Sequence, residues 1–258
     1  MKTEKVRIPT KTDKNIAAVI QYPENTSNKL AILCPGNLDS KNYDHLAKLA
    51  EVLAGIGYTT VRFDPIGTWE SDGTENDYLT SQYLEDVRSV LEYMLSKNSY
   101  TEVILGGHSR GAMISILYAA KDPRISVVLP IMPPSPLTEE ELEEEKYANW
   151  KKNGFNISKR DVPGSTHIKE YKLPYAHLLD RIQFDVIGAV RKIHVPIVIV
   201  AGELDQICLP QDVKEIYDNA NEPKKYLLIK GIGHDYRHNL EEIDFVNKEI
   251  VKALNECK

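Results

Sequence analysis

The stretch from Val103 to Ile114 contains the residues with the strongest catalytic potential. Its centre, Gly107-His108-Ser109-Arg110-Gly111, fits the pattern G-x-S-x-G. The apolar residues before the motif are typical of a short strand, and the residues after it form an amphipathic helical pattern. This context predicts a sharp strand-to-helix turn that holds the Ser109 hydroxyl clear of the backbone. Because helix N-terminal N–H groups stabilise anions, we predict that Ser109 is a nucleophile rather than an ordinary turn residue.

Two later loops carry the residue types that a serine nucleophile requires. A serine hydroxyl reacts at neutral pH only when a base takes its proton and a third group orients that base. Asp205 follows the apolar run 195–201, and His234, flanked by Gly233, follows the run 225–229. Strands of an open α/β sheet place such residues at their carboxyl ends, where active sites gather. The sequence therefore predicts His234 as the general base and Asp205 as its orienting acid.

Other interpretations of these titratable residues stay open at this stage. Glu203 is the nearest alternative to Asp205, with Asp180 and Asp185 more remote. Asp205 itself has the residue type of a common turn former. The remaining histidines show no ligand spacing, so we expect no metal and no other cofactor.

The order of apolar segments predicts an α/β fold with a mostly parallel sheet, because strands and helices alternate. Two N-terminal strands joined by a polar turn are expected to form an antiparallel edge. We predict strands at 5–9, 15–21, 29–34, 58–63, 102–105, 126–131, 195–201 and 225–229. We predict helices at 44–54, 80–95, 109–121, 210–219 and 239–255.

This alternation is interrupted after Met132. We therefore predict one domain over residues 1–258 that contains an insertion at 133–191. Thr138 and Glu141 have the spacing of a capping box, and we expect this box to open a charged helix that runs to Trp150. The remainder of the insertion is predicted to form a hairpin over 157–171 and short helices at 175–179 and 184–190.

Taken together, these features resemble the α/β-hydrolase superfamily over nearly the whole chain. The segments Arg62-Phe63-Asp64 and Glu70-Ser71-Asp72-Gly73 resemble the cinnamoyl/feruloyl-esterase and serine-aminopeptidase-like group. The resemblance implies a central sheet with helices on both faces and the chain order nucleophile, acid, histidine. Ser109, Asp205 and His234 follow that order. The insertion resembles the cap of many family members.

The resemblance also implies an oxyanion hole made of two backbone N–H groups. One belongs to Arg110, and the other to Asn37, with Leu38 as the alternative. This chain has Pro35-Gly36 where many relatives carry His-Gly, and Arg110 where Gln or Met is more usual. We expect the Arg110 side chain to form a salt bridge; recognition of an acidic substrate group is the alternative.

Three residues are candidates for substrate contact. Leu38 lies next to the predicted oxyanion donor, and Trp150 and Tyr175 lie in the predicted cap, where aromatic side chains could line an acyl or aryl pocket. Simple packing of the cap onto the core is the alternative for each aromatic residue.

Composition excludes several classes of partner. The 258-residue chain has a net charge of −6 and no basic stripe, so we expect neither nucleic acid nor a membrane as a partner. No signal-peptide pattern precedes the first predicted strand. Three cysteines without disulfide spacing suggest reduced thiols in a cytoplasmic protein. For the oligomeric state, a monomer and a homodimer both stay open.

The predicted activity is that of a serine hydrolase acting on a small-molecule ester. It would cleave small or medium acyl or aromatic carboxylic esters through an acyl-enzyme, as a carboxylesterase does. A peptidase or amidase, or a thioesterase or acyltransferase, would use the same three residues. A non-catalytic binding module on the same fold is the alternative from another class.

Overall fold

The computed structural model describes residues 2–257, and its central feature is an eight-stranded sheet. Strands adjoin in the order β1-β2-β4-β3-β5-β6-β9-β10, while β7 and β8 form a separate hairpin. The strands are β1 (Lys2–Pro9), β2 (Asn15–Tyr22), β3 (Lys29–Cys34), β4 (Thr59–Phe63), β5 (Glu102–His108), β6 (Val127–Ile131), β7 (Phe155–Asp161), β8 (Ile168–Pro174), β9 (Ile197–Gly202) and β10 (Lys224–Ile229).

Pairing in this sheet is parallel from β4 to β10. The pairs β1–β2 and β2–β4 are antiparallel, which confirms the predicted N-terminal edge. Strand β9 is buried along its whole length and β3 along all but its first residue. Such continuous apolar runs are expected of strands covered on both faces.

The helices cover both faces of the sheet. On one face α1 packs against α8, and on the other α2, α3, α6 and α7 contact one another in series. The predicted α/β-hydrolase architecture is confirmed. The helices are α1 (Asp44–Gly55), α2 (Thr80–Lys97), α3 (Arg110–Ala119), α4 (Glu145–Asn153), α5 (Ala176–Arg181), α6 (Val186–Val190), α7 (Pro210–Asn219) and α8 (Leu240–Glu256). Among these helices, none combines the length and apolarity needed to cross a bilayer.

The segment 133–191, which we call the inserted segment, lies between β6 and β9 in the chain. The predicted hairpin is confirmed as β7–β8, with Asp161 paired to Ile168 beside the turn. Tyr171 and Leu173 of β8 are buried in the main core. The inserted segment also has a small apolar cluster of its own, built on Leu142, Leu178 and Leu137.

The prediction of one continuous helix from Thr138 to Trp150 is wrong. The capping box is present: the Thr138 N–H donates to Glu141 Oε2 at 2.8 Å, and the Glu141 N–H donates to Thr138 Oγ1 at 3.2 Å. Only one 3₁₀ turn follows, however, and the chain becomes extended at Glu144 before α4 begins. Glutamates at 139–141 and 143–145 would form three like-charged i,i+4 pairs on a continuous helix, which destabilises that helix.

Two glycines allow the turn after β5 to approach the end of β3. A Cβ on Gly107 would clash with the Cys34 carbonyl oxygen, and one on Gly111 would lie 2.6 Å from the Pro35 carbonyl oxygen. Contacts this short with backbone atoms cannot be relieved by a side-chain rotation. Glycine at 107 and 111 is therefore required by the approach of two backbone segments.

We predict that Gly111→Ala destabilises the protein by about 1–3 kcal/mol or more, because overpacking forces the backbone apart. Urea unfolding followed by circular dichroism would measure the free energy. Gly55→Ala is the matched control, since no atom lies within 4 Å of its added methyl group; it should be neutral or slightly stabilising. Equal losses in the two variants would contradict the packing argument.

Candidate active site

Ser109 lies in a strained turn between β5 and α3. Its φ of 54° and ψ of −119° fall outside the regions that non-glycine residues favour. The strand continues to His108, three residues beyond the predicted end, and the Ser109 N–H donates to the Ile131 carbonyl at 2.8 Å. The turn places the half-buried Ser109 side chain at the carboxyl edge of the sheet.

Ser109, His234 and Asp205 form a hydrogen-bonded series. His234 Nε2 lies 3.0 Å from Ser109 Oγ, and His234 Nδ1 lies 2.8 Å from Asp205 Oδ2. The other Asp205 oxygen accepts the N–H groups of Ile207 and Cys208, each at 2.8 Å. Burial alone would raise the pKa of Asp205, but His234 and these two N–H groups lower it below its ordinary value. Asp205 is thus held as a carboxylate that can fix the His234 tautomer.

The other acids considered from the sequence are bound elsewhere. Exposed Glu203 accepts the Gly231 N–H at 2.9 Å. Asp180 accepts the Thr80 N–H at 2.6 Å at the start of α2, and Asp185 caps α6. Of the acids weighed, the structure brings Asp205 alone to His234.

The two backbone N–H groups predicted as oxyanion donors have no acceptor within residues 2–257. They belong to Arg110, at the start of α3, and to Asn37, in the loop after β3. The Leu38 N–H, in contrast, donates to the Tyr78 hydroxyl at 3.0 Å. Of the two candidates in the loop, Asn37 is therefore the one free to bind an oxyanion.

The loop after β3 is held by side chains from three parts of the chain. Arg160 of the inserted segment donates to the Asn37 carbonyl at 2.9 and 3.2 Å, and Trp69 Nε1 donates to the Leu38 carbonyl at 2.9 Å. The Tyr83 hydroxyl donates to the Pro35 carbonyl at 2.9 Å. These bonds hold the loop that carries Pro35 and Gly36.

The Arg110 side chain departs from the expected salt bridge. Within residues 2–257, the arginines that have a carboxylate partner are Arg7, Arg88, Arg124, Arg160 and Arg237. Arg110 is only 4% exposed and contacts His177, Asn37, Thr80 and the ring of Tyr78 instead. The prediction of an ion pair is wrong, since this guanidinium is buried among neutral groups.

The three candidate substrate-contact residues lie in different surroundings. Leu38 is fully buried. Trp150 stacks on His177 with ring centroids 6.0 Å apart, and both Trp150 and Tyr175 are half-buried against the small cluster of the inserted segment. Packing within the inserted segment therefore buries part of the Trp150 and Tyr175 side chains.

A buried cluster behind His234 was not predicted from the sequence. Asp39, 3% exposed, accepts from Arg237 at 2.6 Å, and ring nitrogens of His45 and His108 lie 3.9 and 3.8 Å from its second oxygen. This spacing would suit a metal ion, but the adjacent guanidinium repels a cation. His108 also contacts His234, with ring centroids 4.7 Å apart. We interpret the cluster as a support for the His234 loop.

Comparison with known proteins identifies the family of this chain. The family model described as the alpha/beta hydrolase fold matches residues 30–183. The chain belongs to this family. An uncharacterized 31.7 kDa protein of Escherichia coli is 25% identical over 240 residues, which cover 81% of this chain and 84% of that protein.

Two solved structures illustrate the similarity of fold. Est1E from Butyrivibrio proteoclasticus, solved with ferulic acid bound, has a TM-score of 0.76 and 22% identity, covering 97% of this chain and 99% of its own. GrgF, an alpha/beta hydrolase from Penicillium sp. sh18, has a TM-score of 0.78 and 18% identity over 98% of both chains. At these identities the similarity establishes the fold of this family member.

The Asp39 carboxylate should make stability depend on pH. Burial would raise its pKa, but His108, His45 and Arg237 lower it from 3.8 to about 2. Because its pKa is lower in the folded state than in the unfolded state, the Asp39 carboxylate stabilises the fold fully above about pH 4. This stabilisation is lost as the pH falls to about 2. Asp39→Asn should therefore cost about 2 kcal/mol at pH 7, and the deficit should shrink towards pH 2.

Urea unfolding at several pH values measures this dependence. Asp244→Asn, which removes an exposed carboxylate on α8, should change stability by less than about 0.5 kcal/mol at every pH. A deficit in Asp39→Asn that stayed constant with pH would contradict the role assigned to the charge.

Proposed function

We propose that this protein is a serine hydrolase that cleaves carboxylic esters through an acyl-enzyme. The observation that carries the proposal is the series from Ser109 through His234 to Asp205, with donor–acceptor distances of 3.0 and 2.8 Å. The partner atoms needed for nucleophile activation are already within hydrogen-bond distance. Membership of a hydrolase family supports the same conclusion.

In the first half-reaction, Ser109 Oγ attacks the acyl carbonyl while His234 Nε2 takes the hydroxyl proton. Negative charge on the carbonyl oxygen is stabilised by the N–H groups of Arg110 and Asn37. Loss of one such donor typically costs ~3 kcal/mol of transition-state stabilisation. Asp205 stabilises the imidazolium that forms.

The tetrahedral intermediate then collapses. The bond from the acyl carbon to the alcohol oxygen breaks, and protonated His234 gives its proton to that oxygen. In the second half-reaction, water attacks the acyl carbon while His234 takes a proton from that water. Ser109 Oγ recovers this proton from His234 as the acid leaves. Neither half-reaction requires a group from outside the protein and its two substrates.

We predict hydrolysis of short-chain 4-nitrophenyl esters and a loss of ~10³-fold or more in kcat for Ser109→Ala, because the nucleophile is removed. The assay follows 4-nitrophenolate release over a series from acetate to decanoate and an aryl ester. Ser89→Ala is the matched control, since Ser89 Oγ donates only to the Glu85 carbonyl within α2; it should retain full activity.

A serine-directed fluorophosphonate separates the remaining functions. Labelling of Ser109 without ester hydrolysis would direct the search to amides and thioesters, which use the same acyl-enzyme. If neither labelling nor hydrolysis occurred, the protein would be a binding module that retains the hydrolase fold.

A further inference from the structure

Arg110 has an unusual environment for a charged residue. Its guanidinium lies over the ring of Tyr78, with Cζ 4.2 Å from the ring centroid, and Nη1 is 2.6 Å from His177 Nε2. His177 Nδ1 lies 2.8 Å from the Tyr78 carbonyl, so Nδ1 donates there and Nε2 accepts from Arg110. Burial and the Arg110 charge lower the pKa of His177 well below its ordinary range. The neighbour of this cation is therefore a neutral imidazole.

A second arginine lies in the same region. Arg181, at the end of α5, donates from Nη2 to the Ser135 carbonyl at 3.2 Å. Burial first, and then the charge of Arg110, lower its pKa. The Arg181 charge also acts on the thiol of Cys208, which is a neighbour of Ser109. His177, which accepts from Arg110, lies one turn before Arg181 on α5, and side chains four residues apart share one helix face. The inserted segment thus places a second positive charge on the face of α5 that meets Arg110.

Several donors in this region have no acceptor. Within residues 2–257, the buried Nε atoms of Arg110 and Arg181 and the Nε1 atom of Trp150 make no hydrogen bond. Trp150 stacks on the same His177 ring that accepts from Arg110. Buried donors are almost always paired, so three unpaired donors around one histidine require an explanation.

Acidic side chains in the surrounding segments form no ion pair with these arginines. Asp180 accepts the N–H groups of Thr80 and Ser81, Asp212 accepts from Ser135, and Glu141 accepts from Thr138. In the part of the chain that the structure describes, the arginine ion pairs involve other arginines, and neither Arg110 nor Arg181 has a carboxylate within ion-pair distance. Burying a cation without an ion-pair partner is costly, so these two arginines match an anionic ligand.

We propose that the substrate carries a carboxylate in its acyl part and that Arg110 and Arg181 bind this carboxylate. The inference rests on the proposed ester hydrolysis and names the class of ester. Paired guanidinium groups recognise carboxylates through charge-assisted hydrogen bonds. Trp150 Nε1 supplies one further donor.

The geometry assigns the anion to the acyl part rather than to the alcohol. The leaving alcohol must lie at His234 Nε2, which protonates it. The Arg110 guanidinium instead contacts Asn37 of the proposed oxyanion hole and His177 of the inserted segment. A carboxylate bound there belongs to the chain that stays on Ser109 after the alcohol has left.

The test compares two esters that differ in one charge: mono-4-nitrophenyl adipate and its neutral methyl ester. We expect wild-type kcat/KM to favour the charged ester by about tenfold or more, and Arg181→Gln and Arg110→Gln to reduce that ratio by about tenfold. Arg191→Gln is the matched control. It removes an exposed arginine of the inserted segment that bonds to Asn219, and it should leave the ratio unchanged.

Hydrolysis of both esters with no preference for the charged one would overturn this inference and leave the ester-hydrolase proposal intact. The same holds if the preference survives both arginine substitutions. Should neither ester be hydrolysed, calorimetry with Ser109→Ala decides. Tighter binding of monomethyl adipate than of dimethyl adipate, lost on adding Arg181→Gln, supports the anion site; equal binding overturns it.

Discussion

The close contact between the turn at Ser109 and the end of β3 is the constraint on which the site depends. Parallel pairing sets Cys34 opposite Gly107, and glycine at 107 and 111 lets the two backbones meet. This contact brings the N–H group of Asn37 and that of Arg110 to the same side of the sheet edge. The proposed nucleophile and the proposed oxyanion donors therefore share one support, as electrostatic preorganisation requires.

The inserted segment contributes to the same support. Arg160 reaches from β7 to the Asn37 carbonyl, and Asp180 accepts the first N–H groups of α2. Tyr78, just before α2, binds the loop through its hydroxyl and the Arg110 guanidinium through its ring. The segment is thus hydrogen-bonded to the elements that carry the proposed oxyanion donors.

The sequence predicted those features that depend on local pattern. The buried strands, the turn at Ser109 and the hairpin β7–β8 follow from apolar runs and turn residues, and Asp205 and His234 were found because each follows such a strand. The break at Glu144 depends on repulsion between glutamates one turn apart. The prediction relied on the capping box and did not take this repulsion into account. The surroundings of Arg110 could not be predicted, because Tyr78 and His177 meet it only after the chain has folded. The cluster around Asp39 was missed for the same reason, since its members lie on four separate segments.

The bond between Asp39 and Arg237 joins residues 198 positions apart. It connects the loop after β3 to the loop after β10. Contacts so distant form only when the intervening strands have been ordered, because the entropy of closing the loop must first be overcome. The proposed activity should therefore be among the last properties to return during refolding, well after helical circular dichroism. A chain released from the ribosome without β10 would lack His234 and its support together.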